Sequence, residues 1–336
     1  LPGTGWTGCK AAWTRIDPGL PHSLQHGLVN RRIRIRMLAA LVLAAVPIGG
    51  CMATAPSCYT KRAAVVLPDR TRVLAHLNNG AAGRALAEAI LDGRVRDAEA
   101  MLARDPRLIA TAVTDDPNVP QPPAGQYGDL LTFAVSRCNA DAVTMLFAAG
   151  MPKDGVKPGA ALSLAILADS PAMAEQLLSA GASPDPQARG GEDPMRSAIA
   201  FGHIGGVMTL LRHGADPRWT DRFGIDHVRM AVDAEQAEIA ELLVQKGGTL
   251  WSIADDGSMA AHALLDTPVI FTSPEMLAAR DRLRERARNA NIAWPPPDRA
   301  EVRRQVAGGA WPTADMAKAG MTVAPAVLAR IQAGIR

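Results

Sequence analysis

Aromatic side chains are scarce: six Trp, two Tyr and five Phe make up 4% of 336 residues. Strands favour aromatic and β-branched residues. Their shortage beside abundant Ala and Leu argues for packed helices and against a β-sandwich. No run of eighteen or more apolar residues occurs, so no transmembrane helix is expected. Catalytic signatures are missing as well. There is no His-Glu-x-x-His, no Gly-x-Ser-x-Gly, no phosphate-binding Gly-rich loop, no paired Cys-x-x-Cys and no Gly-x-Gly-x-x-Gly in a βαβ setting. Nothing in the sequence calls for a cofactor or a metal. A surplus of one charge is also lacking. The formal net charge is +3, but residues 1–50 hold six basic groups (Lys10, Arg15, Arg31, Arg32, Arg34 and Arg36) against Asp17. The remainder has 30 basic and 32 acidic residues, about −2. Such a body has no general pull on phosphate backbones, so nucleic acid is not an expected partner.

What is present begins with an export pattern. Arg31-Arg32-Ile33-Arg34-Ile35-Arg36 precedes an apolar run from Met37 to Val46, then Pro47-Ile48-Gly49-Gly50-Cys51. A basic region, a short apolar stretch and small residues at a cleavage point form a secretory signal. Ile48-Gly49-Gly50-Cys51 resembles the lipobox of bacterial lipoproteins, which implies lipid on Cys51 and an outer-membrane lipoprotein facing the periplasm of the bacterial envelope. Residues 1–28 fit no signal peptide, and Val29 would give one of normal length. The expectation is therefore a start-site artefact over 1–28, a signal peptide over 29–50 and a tether over 51–80. In an oxidising envelope, Cys58 and Cys138 are a disulfide candidate; two independent thiols are the alternative.

The body repeats. Leu146-Phe147-Ala148-Ala149-Gly150, Leu177-Leu178-Ser179-Ala180-Gly181, Leu210-Leu211-Arg212-His213-Gly214 and Leu243-Val244-Gln245-Lys246-Gly247 fall at spacings of 31, 33 and 33 residues. Sixteen residues before each glycine stands an alanine: Ala134, Ala165, Ala198 and Ala231. The unit from Asp193-Pro194-Met195-Arg196 to Gly214-Ala215-Asp216-Pro217 resembles the ankyrin consensus, from its Thr-Pro-Leu-His start to its Gly-Ala-Asp-Pro end. Asp221 and Gly224 occupy the family's hairpin positions. Degenerate units flank it, one around Leu86–Leu102 and one starting at Gly257. The tetrad is never complete: Leu130-Leu131-Thr132, Ala161-Leu162-Ser163 and His227-Val228-Arg229 replace it. The resemblance implies an all-α, ankyrin-repeat solenoid of about five to six helix-turn-helix repeats over 81–290. A helical C-terminal extension over 291–336 follows, with helices expected at Arg299–Val306 and Ala324–Ile335.

The resemblance also implies a protein partner, held on the concave side by hairpin fingertips and first helices. In this register Trp219, Arg222 and Phe223 share one fingertip, Trp251 lies on the next and Arg189 on the preceding one. Phe201 and Arg229 fall at variable positions of first helices. Exposed Trp and Arg are enriched in binding hot spots. His203 and His213 read as repeat positions rather than a metal pair, and Asp226-His227 as a helix start rather than an acid-base pair. The run Arg280–Arg288 reads as a solvated, salt-bridged helix face. The functional expectation is a non-enzymatic, protein-binding scaffold anchored in the membrane through lipid, either an inhibitor or immunity-type partner or a scaffold for an envelope complex. A competing reading places a hydrolytic or metal-dependent enzyme in the tail, around Asp298, Glu301 and Asp315.

Overall fold

The structure is a computed structural model that describes residues 70–114, 128–189, 191–266 and 273–334. All of them belong to one compact unit, residues 54–336. The side chains of Arg72, Ala188, Arg189 and Asp266 are not among those described.

Short helices need defined starts, and acidic or amide side chains provide them. Asp129 accepts from the Thr132 N–H at 3.0 Å, Asn139 from Ala142 at 2.9 Å, Asp193 from Arg196 at 2.9 Å and Asp226 from Arg229 at 2.7 Å. Each satisfies an N–H that the first helical turn leaves without a partner. These four helices belong to a set of six pairs. They are α2 (Gly80–Leu91) with α3 (Val95–Arg104), α4 (Leu130–Ser136) with α5 (Ala140–Ala148), and α6 (Ala160–Leu167) with α7 (Pro171–Ser179). The later three are α8 (Pro194–Phe201) with α9 (Ile204–Arg212), α10 (His227–Asp233) with α11 (Ala237–Gln245), and α12 (Ala260–Asp266) with α13 (Pro274–Arg288). A short α1 (Arg70–Ala75) precedes them.

The first helices α2, α4, α6, α8, α10 and α12 pack in sequence order as one row, and the second helices line up beside them, α7 reaching α5 through the bond from Gln176 to the Ala140 carbonyl. The register alanines explain the close approach of the first row. Ala134, Ala165, Ala198 and Ala231 are all fully buried, and a methyl group is the largest side chain those contacts hold without separating the helices. Every residue of α6 is buried, because it is flanked by α4, α8 and its own partner α7. Leu146, Leu177, Leu210 and Leu243 seal the second helices onto this row.

Two expectations are corrected here. The tether was expected to reach residue 80, but its end is part of the folded body. Val73 is buried, Asn78 exchanges hydrogen bonds with the chain at Ala110 and Ala112, and Asn79 bonds Thr111. The run Arg280–Arg288 is not a uniformly solvated face. Arg280 is buried, and both it and Arg284 donate to the Leu264 carbonyl near the end of α12, at 3.0 and 2.9 Å. Cations are favourable at a helix C-terminus, where carbonyls lack partners. Arg282 instead grips Glu241 of α11 through two 2.7 Å bonds.

The tail contains α14 (Arg299–Ala307), α15 (Ala314–Lys318) and α16 (Pro325–Gln332), and it folds back on the array. Strand β2 (Thr322–Val323) pairs in parallel with β1 (Ser252–Ile253), matching Ser252 to Thr322 and Ile253 to Val323. Thr249 donates to the Gly320 carbonyl at 2.7 Å, and Met321, Val327 and Ile331 are buried.

Candidate functional site

The edge of the array that carries the hairpins is the candidate interface. The second helices α5, α7, α9 and α11 each end at a glycine in the left-handed region: Gly150, Gly181, Gly214 and Gly247, with φ between 92° and 108°. That conformation reverses the chain at little steric cost only without a Cβ. Successive fingertips are then stitched by carboxylates. Asp129 accepts from Val156 and Lys157, Asp154 from the Ser183 N–H at 2.6 Å, and Asp185 from the Asp216 N–H at 2.7 Å. Burial pushes the Asp185 carboxyl up from its ordinary pKa, against the pull of these bonds.

Between the fourth and fifth pairs the stitching goes deeper. His227 is fully buried and its Nε2 lies 3.1 Å from the Asp193 carboxylate. The Trp219 ring stacks over it at 5.1 Å and 23°. Burial pushes the Asp193 carboxyl up, but the hydrogen bond and charge of His227 outweigh it and hold the group below the usual range. Its neighbour Asp226 is also buried, and there desolvation wins: the carboxyl is pushed up to about 7.

Paired helices at this period, reversing at left-handed glycines and stitched finger to finger, define the architecture. The chain has the ankyrin-repeat fold. It is similar to the ankyrin repeat domain of Bcl-3, a member of the IkappaB protein family, at 20% identity over 60% of this chain and 85% of that one, with a TM-score of 0.45. No family model and no curated protein matches the sequence.

The ankyrin register puts Trp219, Arg222 and Phe223 on one fingertip, and the structure does the same. Arg222 is exposed and its guanidinium lies 4.7 Å from the centre of the Phe223 ring, which is 41% exposed. Trp219 is half-buried on His227, so its role is partly structural. Arg189 closes a 3-10 turn, Pro186–Arg189, in the preceding hairpin. Trp251 is a correction. Only 3% of it is exposed, because the tail strand pairs beside it and Trp294 packs edge-on at 6.4 Å. Arg229 is half-buried as well: it pairs with Asp233 at 2.7 Å and reaches the Met259 carbonyl. Phe201 is half-exposed but stacks on His203 at the opposite edge. The predicted residues thus separate into one exposed fingertip and several structural positions.

His213 bonds Glu175 at 2.9 Å, and His203 lies 3.9 Å from Asp169, so both histidines tie the fourth pair to the third. No group of three or more His, Cys, Asp or Glu among the described residues could hold a metal. In the tail, Asp298 caps α14, Glu301 pairs with Arg304 and Gln305, and Asp315 pairs with Lys318. Sequence reasoning missed the tail's hold on the fingertip: Arg330 sits 5.6 Å from the Phe223 ring and 3.5 Å from Asp255. Nothing local in the sequence signals a contact between residues that far apart.

Cys51 and Cys58 lie outside the described residues. Cys138 is disulfide-bonded, and the other three cysteines of the chain, Cys9, Cys51 and Cys58, are all outside them. No described helix is long and apolar enough to cross a membrane.

Proposed function

We propose that the chain is a non-enzymatic scaffold that captures a protein partner on its hairpin edge and is held in the bacterial envelope by lipid on Cys51. The observation that carries the binding reading is the Arg222–Phe223 stack. A cation and an aromatic ring stand exposed on a stitched fingertip, and the tail covers the neighbouring fingertip at Trp251. Arg and aromatic side chains on a rigid frame contribute strongly to binding, because little freedom is lost when they are covered. An inhibitor or immunity-type protein is one form of this function, and a scaffold for an envelope complex is another. The basic and apolar run ending at Cys51 supports the anchoring.

Two experiments test the two halves separately. Arg222→Ala with Phe223→Ala should lower partner capture by mature protein at least tenfold, with only the small drop in thermal melt that losing the Phe223–Arg330 contact brings. Leu210→Ala, a fully buried position, should cost about 2–5 kcal/mol of stability and lower capture only through unfolding. Normal capture by the fingertip double variant would remove the binding reading. Palmitate labelling should be lost in Cys51→Ala; equal labelling of both proteins would remove the anchor.

A further inference from the structure

The turn from first to second helix carries a left-handed residue in each of the first five pairs: Gly93, Cys138, Asp169, Gly202 and Glu235. Because the first helices pack in sequence order, these turns line one edge of the array, opposite the hairpins. Among the described residues six large apolar side chains are exposed: Phe201, Ile204, Met208, Phe223, Leu265 and Leu277. All but Phe223 belong to this turn edge. Phe201 ends α8 and Ile204 begins α9, with Met208 one turn further on. Leu265 is in the last turn of α12 and Leu277 in the first turn of α13.

The clustering is built into the packing. Phe201 is held flat against His203, ring centroids 6.1 Å apart and 4° from parallel. Beside it a cleft of about 300 Å³ opens between α7 and α9, walled by Ile166, Pro171, Ala174, Gly205, Gly206 and Met208. A side chain at Gly205 would meet nothing within 4 Å, so the cleft mouth is open. Apolar side chains concentrated on one edge of an otherwise polar surface mark an interaction site.

Cys138 bears on what this edge faces. It sits in the second turn, on the same edge, and is disulfide-bonded, while the chain's other cysteines, Cys9, Cys51 and Cys58, lie outside the described residues. We propose that the turn edge lies on the lipid surface, with Phe201, Ile204, Met208, Leu265 and Leu277 at the boundary between headgroups and acyl chains. The proposal rests on the reading of Cys51 as the acylated residue. If Cys58 is the partner of Cys138, seven residues separate the bond from the anchor, a reach of at most about 25 Å. The turn edge is then the part of the array nearest the bilayer, and the hairpin edge projects away from it, open to a partner. Exposed charges near the turns are mixed, Arg94 and Arg137 against Asp92 and Asp97. Attraction therefore comes from apolar insertion and should depend little on salt or on anionic lipid.

The first measurement uses mature protein, beginning at position 51, with Cys51→Ala, which has neither the lipid nor the apolar run Met37–Val46, mixed with phosphatidylcholine vesicles at millimolar lipid. It should co-sediment weakly, and Phe201→Ser with Ile204→Ser and Met208→Ser should lower its partition at least tenfold without changing the melt. This arm does not require acylation, so its failure is distinct from failure of the anchor. The second is hydroxyl-radical labelling of wild-type protein on the same vesicles, compared with Cys51→Ala in buffer. Labelling of Phe201 and Met208 should fall several-fold, with Phe223 on the opposite edge unchanged. Equal partition of the serine variant, or undiminished labelling of Phe201 and Met208, would overturn the proposal. Protection that rises with protein density at fixed lipid would also overturn it, in favour of a second copy of the chain on this edge.

Discussion

The imidazole of His227 bonds the carboxylate of Asp193 across 3.1 Å, joining the starts of α10 and α8 in neighbouring repeats. Asp193 also caps α8, and Trp219 roofs the pair. Removing one member leaves the other buried and uncompensated, which costs about 3–5 kcal/mol. His227→Ala and Asp193→Ala should each reach that range in denaturant titrations, and the double variant should lose clearly less than their sum. Additive losses would mean the two side chains act independently. Because the Asp193 carboxyl is held below its ordinary range, its stabilisation is present above about pH 4 and is lost as pH falls through the folded value.

Asp226 has the opposite sign. In the unfolded chain it ionises near pH 4, whereas burial delays this to about 7 in the folded protein. Between those values folding takes up a proton, so stability falls as pH rises and the loss is complete above about 7. The full window corresponds to at most about 4 kcal/mol. Asp226→Asn keeps an oxygen to cap the Arg229 N–H and abolishes the ionisation. Stability of wild type relative to this variant should decline by about 2–4 kcal/mol from pH 4.5 to 7.5. Parallel pH curves would contradict it.

The tail depends on Gly224. This residue has φ +83°, and a Cβ there would stand 2.9 Å from the Ile253 carbonyl and 2.9 Å from a Val327 methyl. Gly224→Ala should cost about 1–3 kcal/mol and loosen α16. Limited proteolysis should then cut the tail several-fold faster while the first four repeats stay protected, since each repeat contacts only its neighbours. An unchanged cleavage rate would show that the tail is held elsewhere.

The partner of Cys138 is open to direct assay. A non-reducing peptide map should join the peptides of Cys58 and Cys138, closing a loop of about 80 residues whose reduction would cost about 4 kcal/mol. A link to Cys9 would overturn the pairing, and a link to Cys51 would also remove the acyl site. Trp219→Ala, by contrast with Arg222→Ala, should lower the melting temperature, because its ring covers His227.

The repeat was legible from residues that act within their own unit. An alanine between packed helices and a glycine that must adopt positive φ are dictated by local geometry, and they recur every 31 to 33 residues, joined by a capping Asp at Asp129, Asp193 and Asp226. That recurrence determined the helix pairs, their order and the exposed fingertip of Arg222 and Phe223. It could not determine what the tail would cover. Thr249 meets Gly320, Arg330 meets Asp255 and Trp251 disappears beneath the returning strand. Such contacts carry no period and depend on where the chain goes after Trp294. The same limit applies to Arg280, whose position in a charged run reads as solvated until α12 ends against it. Local chemistry set the units, and only packing between distant segments decided which of their side chains remain on the surface.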